Sequence, residues 1–164
     1  LASLGYLNSV RLACNLLEGP VPRSWDQLTL LDDLQLAGNR LTGALNGSSL
    51  QGMTSLTNIN ADGNLLNDKL PPQIGRMTML RSLRLSGNQL TGPVRFHYSM
   101  LTNLGFLDLS QNDLEGQLPM QFSNLSALMV MRLDNNLLSG KLPPGWGKLV
   151  GLRELRLDTK ALSG

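Results

Sequence analysis

Apolar residues recur along the chain in one fixed frame. One stretch places them at Leu101, Leu104, Leu107 and Leu109, and the next at Leu125, Leu128, Met131 and Leu133. The gaps of three shorten to two at the end of each frame. A gap of two is the period of a strand, whose side chains alternate between faces. Each closing pair is followed by an asparagine, giving Asn15, Asn39, Asn64, Asn88, Asn112 and Asn136, spaced by 24, 25, 24, 24 and 24 residues. A second signature follows the asparagine, reading Leu114, Gly116, Leu118, Pro119 in one copy and Leu138, Gly140, Leu142, Pro143 in the next. The copies begin at Leu4, Leu28, Met53, Met77, Leu101, Leu125 and Leu149, and the last is partial, stopping at Gly164.

Self-similarity at this period predicts a solenoid occupying residues 1–164 as a single array. The short strands stack side by side as one parallel sheet. No copy has enough apolar surface to close a core alone, so neighbours close it between them. The asparagine stands where the chain turns inward after the strand. A buried amide without partners costs about 1–3 kcal/mol, so the six are expected to form a ladder paired with backbone groups. Gly19, Gly43, Gly92, Gly116 and Gly140 allow a backbone shape that other residues resist. The Val-Pro or Leu-Pro pair after them favours an extended path, and the return is predicted as short 3₁₀ turns.

These residues closely resemble the plant-type leucine-rich repeat, patterned L-x-x-L-x-x-L-x-L-x-x-N-x-L-x-G-x-[IL]-P, over nearly the whole chain. The resemblance implies an α/β solenoid: a right-handed superhelix with its parallel sheet on the concave face and 3₁₀ turns and loops on the convex face. It also implies a second small sheet around the L-x-G segment. Similar proteins include ectodomains of plant receptor kinases and receptor-like proteins, and secreted polygalacturonase-inhibitor-like proteins. Four copies depart from the pattern. The second carries Asn46-Gly47-Ser48 and one extra residue where Pro is expected, the third has Asp68 in place of Gly, the fourth has Arg95 in place of Pro, and the seventh has Lys160 in place of Asn. The paired-cysteine caps of the family are not in this stretch. The expectation is a part of a longer chain, its open ends covered by flanking residues or by a partner.

Composition narrows the chemistry. Hydrophobic residues make up 41% and aromatics only 4%, so the core is aliphatic. A net charge of +2 gives no electrostatic reason to expect nucleic acid or an anionic membrane. No apolar run approaches the roughly 18 residues of a membrane span, so no membrane contact is expected within this segment. Cys14 is the only cysteine and is expected as a small half-buried filler. His97 is the only histidine, expected at the surface of the convex side, with no second ligand nearby to suggest a metal site. Trp25 and Trp146 share a late repeat position with Ile74 and Phe122 and are expected in the convex-side core. No phosphate-cradling loop and no recognisable pair of catalytic carboxylates occurs. No enzyme, cofactor or metal is expected.

The columns that point outward from the strands carry the candidate site. The residues between the paired leucines are Arg11, Gln35, Asn60, Arg84, Asp108, Arg132 and Arg156. Two positions later stand Ala13, Ala37, Asp62, Ser86, Ser110, Asp134 and Asp158, and two earlier Ser9, Asp33, Asn58, Ser82, Phe106, Val130 and Glu154. Arg132 with Asp134, and Arg156 with Asp158, are placed to pair along one strand. One reading is a solvated, self-compensating face, since exposed ion pairs contribute little. The sharper reading is a protein or peptide footprint centred on Phe106 and Val130 and rimmed by Arg84, Asp108, Arg132, Asp134 and Arg156, the composition of an interface hot spot. A third places the binding surface on the convex side or an end. Leu16, Leu65 and Leu137 follow the ladder asparagines and are expected to pack on their neighbours. Asn46 and Asn124 head sequons outside the strand surface and are candidate N-glycosylation acceptors.

The expected function is a partner-binding segment of a plant-type cell-surface receptor ectodomain, extracellular or at the cell surface. The alternatives are a secreted inhibitor of a wall-degrading enzyme and a scaffold subunit of a larger assembly. Ice binding needs a flat regular array of small polar residues, which these irregular charged columns do not provide.

Overall fold

The computed structural model describes residues 4–43, 45, 50–158 and 161–163. Each L-x-L pair forms a strand of three residues: β1 (Ser9–Arg11), β3 (Asp33–Gln35), β5 (Asn58–Asn60), β7 (Ser82–Arg84), β9 (Phe106–Asp108), β11 (Val130–Arg132) and β13 (Glu154–Arg156). They stack in sequence order as one seven-stranded parallel sheet, without a slip in register, so each outward column of the sequence is a row across the sheet. The central residue of each strand points inward. Leu34, Ile59, Leu83, Leu107 and Met131 are fully buried there. After each of the six ladder asparagines a second short strand forms, β2 (Glu18–Gly19), β4 (Arg40–Gly43), β6 (Leu65–Leu66), β8 (Thr91–Pro93), β10 (Asp113–Gln117) and β12 (Leu137–Lys141), and the seventh copy adds β14 (Ala161–Ser163).

The second sheet is broken into a three-stranded piece, β2-β4-β6, and a four-stranded piece, β8-β10-β12-β14. The break falls at Asp68. In the other copies the corresponding Gly19, Gly43, Gly92, Gly116 and Gly140 have φ between +72° and +87°, a region where an L side chain is strained. Asp68 stays out of that region, its carboxylate accepts the next amide, Lys69, at 2.7 Å, and only a single bridge, Lys69 to Thr91, spans the gap.

The ladder is complete through the middle of the array. Asn112 Nδ2 donates to the carbonyls of Leu109 and Ser110 in its own copy and of Leu85 in the preceding one, at 2.9–3.1 Å. Its Oδ1 accepts the amide of Leu90 at 3.0 Å. Asn39, Asn64, Asn88 and Asn136 repeat this pattern. Asn15 is exposed and reaches only Leu12 and Ala13 of its own copy. The residue before each ladder asparagine turns through positive φ. It is Gly38, Gly63 and Gly87 in three copies, and Cys14, Gln111 and Asn135 in three others at φ 54–56°. Cys14 is exposed on this turn and is not the half-buried filler expected of a small apolar residue; the left-handed turn carries its side chain away from the core.

Among the described residues, five 3₁₀ turns line the convex side, at Arg23–Gln27, Pro72–Arg76, Phe96–Met100, Met120–Asn124 and Pro144–Lys148. The residue before each turn is extended, with φ from −60° to −84°. Arg95 adopts this shape without a proline ring to hold it. Trp25, Ile74, Tyr98, Phe122 and Trp146 fill one buried column. Tyr98 Oη donates to the Pro71 carbonyl at 3.0 Å, and Trp146 Nε1 to the Pro119 carbonyl at 3.1 Å, so each polar tip ties its copy to the one before. Burial pushes the Tyr98 phenol well above its usual range. His97 is half-buried rather than at the surface: it stacks on Phe96 at 4.2 Å, and its Nδ1 is enclosed without a hydrogen-bond partner. Leu16, Leu65 and Leu137 are exposed instead of packed, because the strand alternation that buries Leu66 and Leu138 turns their predecessors outward. The Asn46 sequon and Lys160 lie outside the described residues.

Removing the Asn112 amide leaves the buried Leu90 N–H without its acceptor and takes one of two donors from each of the Leu85, Leu109 and Ser110 carbonyls. Asn112→Ala is expected to destabilise the protein by about 3 kcal/mol, read as a lowered urea midpoint. Asn15→Ala, with no inter-copy bond to lose, should cost under about 1 kcal/mol. Equal losses at the two positions would remove the ladder from the account.

Candidate functional site

The outward row of the main sheet brings most of the candidate residues into direct contact. Phe106 and Val130 are neighbours in register on β9 and β11. The Arg84 guanidinium lies over the Phe106 ring, 4.1 Å from its centroid, and that of Arg132 lies at 5.4 Å. A guanidinium over a ring face is attracted by the ring quadrupole, so the aromatic is held between two cations. Arg132 makes a two-pronged bond to Glu154, at 2.9 and 3.2 Å, and reaches Asp108 at 3.5 Å. Arg156 joins Glu154 at 2.7 Å.

Arg132 therefore pairs across strands, to Asp108 and Glu154, whereas Arg156 pairs with Glu154 two residues earlier on its own strand. The expected pairs of Arg132 with Asp134 and Arg156 with Asp158 do not form. Both guanidiniums are engaged by these other acids, Arg132 by those on the two neighbouring strands and Arg156 by Glu154. Asp134 instead accepts Asn135 Nδ2 at 2.9 Å through one oxygen, and its other oxygen is enclosed without a partner. It stands apart from the Phe106 cluster.

Asp108 is nearly closed off from solvent at 6% exposure, and its oxygens are occupied. One accepts the amide and the hydroxyl of Ser110 at 3.0 and 2.6 Å, and the other faces Arg132. The Ser110 hydroxyl meets that of Ser86 at 2.8 Å, and the Ser86 amide donates to Asp62 at 2.8 Å. One polar network thus runs from Asp62 on the third copy to Arg156 on the seventh. A second centre lies further back, where Ser9, Arg11, Gln35 and Asn58 all donate to Asp33 at 2.7–3.2 Å.

The carboxylates respond to these surroundings in opposite directions. The hydrogen bond from Arg132 holds Glu154 below the usual carboxylate range. At Asp33 burial acts to raise the value, but the bonds from Gln35, Asn58, Arg11 and Ser9 together bring it down. At Asp62 burial prevails over the Ser86 amide, and the nearby Asp108 adds to the rise. Arg132 is held more firmly protonated by Glu154.

A groove of about 590 Å³ opens beside the cluster, lined by Arg81, Asn103, Gly105, Phe106, Ala127, Met129, Val130 and Arg153. Sequence reasoning finds Phe106 and Val130 here but misses Arg81, Gly105, Met129 and Arg153. They form the column immediately before the outward row, and its signal is a glycine where neighbouring copies carry long side chains. Asn124, the other candidate glycan acceptor, is exposed at the end of its 3₁₀ turn. Among the described residues no group of three His, Cys, Asp or Glu side chains is placed to hold a metal ion, and no helix is long and apolar enough to cross a membrane.

Stability should follow the two lowered carboxylates. A carboxylate whose value is lowered by folding stabilises the native state above its unfolded value and loses that contribution as pH falls through the folded one. The urea midpoint is therefore expected to drop between about pH 5 and pH 3. Glu154→Gln should flatten that drop, while Asp62→Asn, which removes a carboxylate that folding shifts upward instead, should not. A Glu154→Gln profile parallel to the parent would contradict the assignment.

Comparison with known proteins agrees with this architecture. The Leucine Rich Repeat family model matches residues 79–98, 103–125 and 127–149. No curated protein matches the chain by sequence search. The ectodomain of the Arabidopsis thaliana receptor kinase GASSHO1/SCHENGEN3, solved in complex with CASPARIAN STRIP INTEGRITY FACTOR 2, is 36% identical over 96% of this chain, with a TM-score of 0.93. The Arabidopsis receptor kinase HAESA, solved with the peptide hormone IDA and the co-receptor SERK1, is 30% identical over 95% of this chain, with a TM-score of 0.91. The chain spans only 19% and 26% of those two structures. The BIR2 ectodomain from Arabidopsis thaliana is 30% identical, with a TM-score of 0.70, over 78% of this chain and 67% of its own. Repeat, fold and likeness converge, and the chain belongs to the leucine-rich-repeat family in the form carried by plant receptor-kinase ectodomains.

Proposed function

We propose that this chain is a non-catalytic ligand-binding segment of a plant-type cell-surface receptor, and that it takes a peptide or protein on the outer face of its main sheet around Phe106. The observation that carries the reading is the aromatic ring held between Arg84 and Arg132, with Arg132 itself fixed by Asp108 and Glu154. A pre-positioned aromatic and its arginines lose little rotamer freedom when a partner arrives, which is what makes such clusters effective anchors. The structural relatives support the class of partner, since GASSHO1/SCHENGEN3 and HAESA were solved with bound ligands, a peptide hormone in the case of HAESA. On this reading the segment faces the outside of the cell, and Asn124 is available to a glycan at a distance from the strands.

Peptides selected on the protein from a display library test the site. Phe106→Ala is expected to weaken a selected peptide by at least about 30-fold, the scale of a hot-spot truncation, with far-UV circular dichroism unchanged. Binding that survives Phe106→Ala and Arg132→Ala but is lost on changing the exposed convex residues Phe96 and Met120 would move the site to the other face. The orientation is tested separately. The secreted protein should show a glycosidase-sensitive mass that Asn124→Gln reduces, and an unmodified Asn124 in secreted material would contradict the assignment.

A further inference from the structure

The groove beside Phe106 has a charge pattern of its own. Arg81, Gly105, Met129 and Arg153 are successive rungs of one column, each amide donating to the carbonyl of the rung before: Gly105 to Arg81 at 2.8 Å, Met129 to Gly105 at 2.9 Å and Arg153 to Met129 at 2.8 Å. Gly105 leaves a gap in this row. A Cβ built there would meet the Met129 Cε at 3.3 Å, with nothing else nearer than 3.7 Å, so the gap is bounded by a flexible thioether. Phe106, Val130 and Ala127 complete an apolar floor. The two rims are cationic. Arg81 and Arg153 are exposed and, unlike Arg132 and Arg156, pair with no carboxylate among the described residues. No acidic residue lines the groove.

From this arrangement, and resting on the peptide-binding reading above, we infer that the groove is a subsite for an extended acidic peptide segment of pattern acid-x-apolar-x-acid. Three strand spacings separate Arg81 from Arg153, about 14 Å. Four residues of extended chain cover about 14 Å, which puts acidic side chains at the first and fifth positions over the two guanidiniums. Alternation turns the first, third and fifth side chains to the same side. The third then falls between the Gly105 and Met129 rungs, over the gap and against Phe106 and Val130. The acidic groups are side-chain carboxylates rather than a chain terminus, because two separate cations are to be met at once.

The probe is a peptide blocked at both ends, acetyl-Glu-Ser-Leu-Ser-Glu-amide, titrated into the isotope-labelled protein and followed by backbone amide shifts. Shifts are expected at Gly105, Met129 and Arg153, with affinity falling at least tenfold in Arg81→Gln, in Arg153→Gln and in Gly105→Val. The Cβ of the valine enters the gap with the flexible Met129 thioether as its nearest neighbour, and the two arginine changes are at exposed positions, so a failure of one variant to fold leaves the others to decide. The counterpart with lysine in place of glutamate, and the one with glycine in place of leucine, should each bind at least tenfold more weakly. Equal binding of the lysine peptide, no binding of the glutamate peptide, or affinity indifferent to all three substitutions would overturn the subsite. Shifts confined to Asp108, Arg132 and Arg156 and abolished by Arg132→Ala would overturn it too, while leaving the outer-face site of the proposed function standing.

Discussion

Everything in this molecule depends on how a chain whose described residues form only short strands and turns satisfies its backbone while packing a leucine core. The ladder asparagine provides the solution. At the point where the backbone turns inward after the strand, one amide side chain donates to both its own copy and the preceding one, and accepts a buried N–H in return. An unpaired buried group there would be expensive. Because each amide spans two copies, it sets the stacking interval as well as the turn. Register follows, and with it the straight rows of outward residues that make a binding surface out of single positions spaced by a repeat.

That surface is rigid where it is charged. The Arg132 guanidinium touches Phe106, Asp108 and Glu154 together, and Asp108 in turn is held by Ser110. The charge compensation expected of these columns and the proposed footprint around Phe106 involve the same side chains. Compensation holds the arginine in place, and the placed arginine leaves an aromatic edge and a groove beside it. The cations at the groove rims, Arg81 and Arg153, are outside this compensation, and they give the surface a preference that its small net charge does not reveal.

The repeat made much of the fold legible. Asn112 and its counterparts, the inward leucines and the convex column of Trp25 and Trp146 could be assigned because period and alternation determine which side a residue faces. The same logic brought Phe106 and Val130 to one row and Arg84, Asp108 and Arg132 to the row beside it. It did not say which charges would meet, because Arg132 has acids both along its strand and across to its neighbours, and pairing of both kinds occurs: Arg132 crosses to Asp108 and Glu154, while Arg156 meets Glu154 on its own strand. It did not show the break in the second sheet, which follows from the backbone region that Asp68 avoids. The exposure of Cys14 depends on a left-handed turn that Gly38 and Gly63 reveal only by analogy. The groove was the hardest to see, since it is made by a side chain that Gly105 lacks.

The central claim is that a ligand lies along the outer row and its leading edge, between the fourth and seventh copies. Hydrogen–deuterium exchange of the protein with and without a display-selected peptide tests this directly, because it reads the whole backbone at once. Protection concentrated on β7, β9, β11 and β13 and on the residues leading into them, with the 3₁₀ turns unchanged, is the result the account predicts. Protection confined to the 3₁₀ turns or to the ends of the array would contradict it.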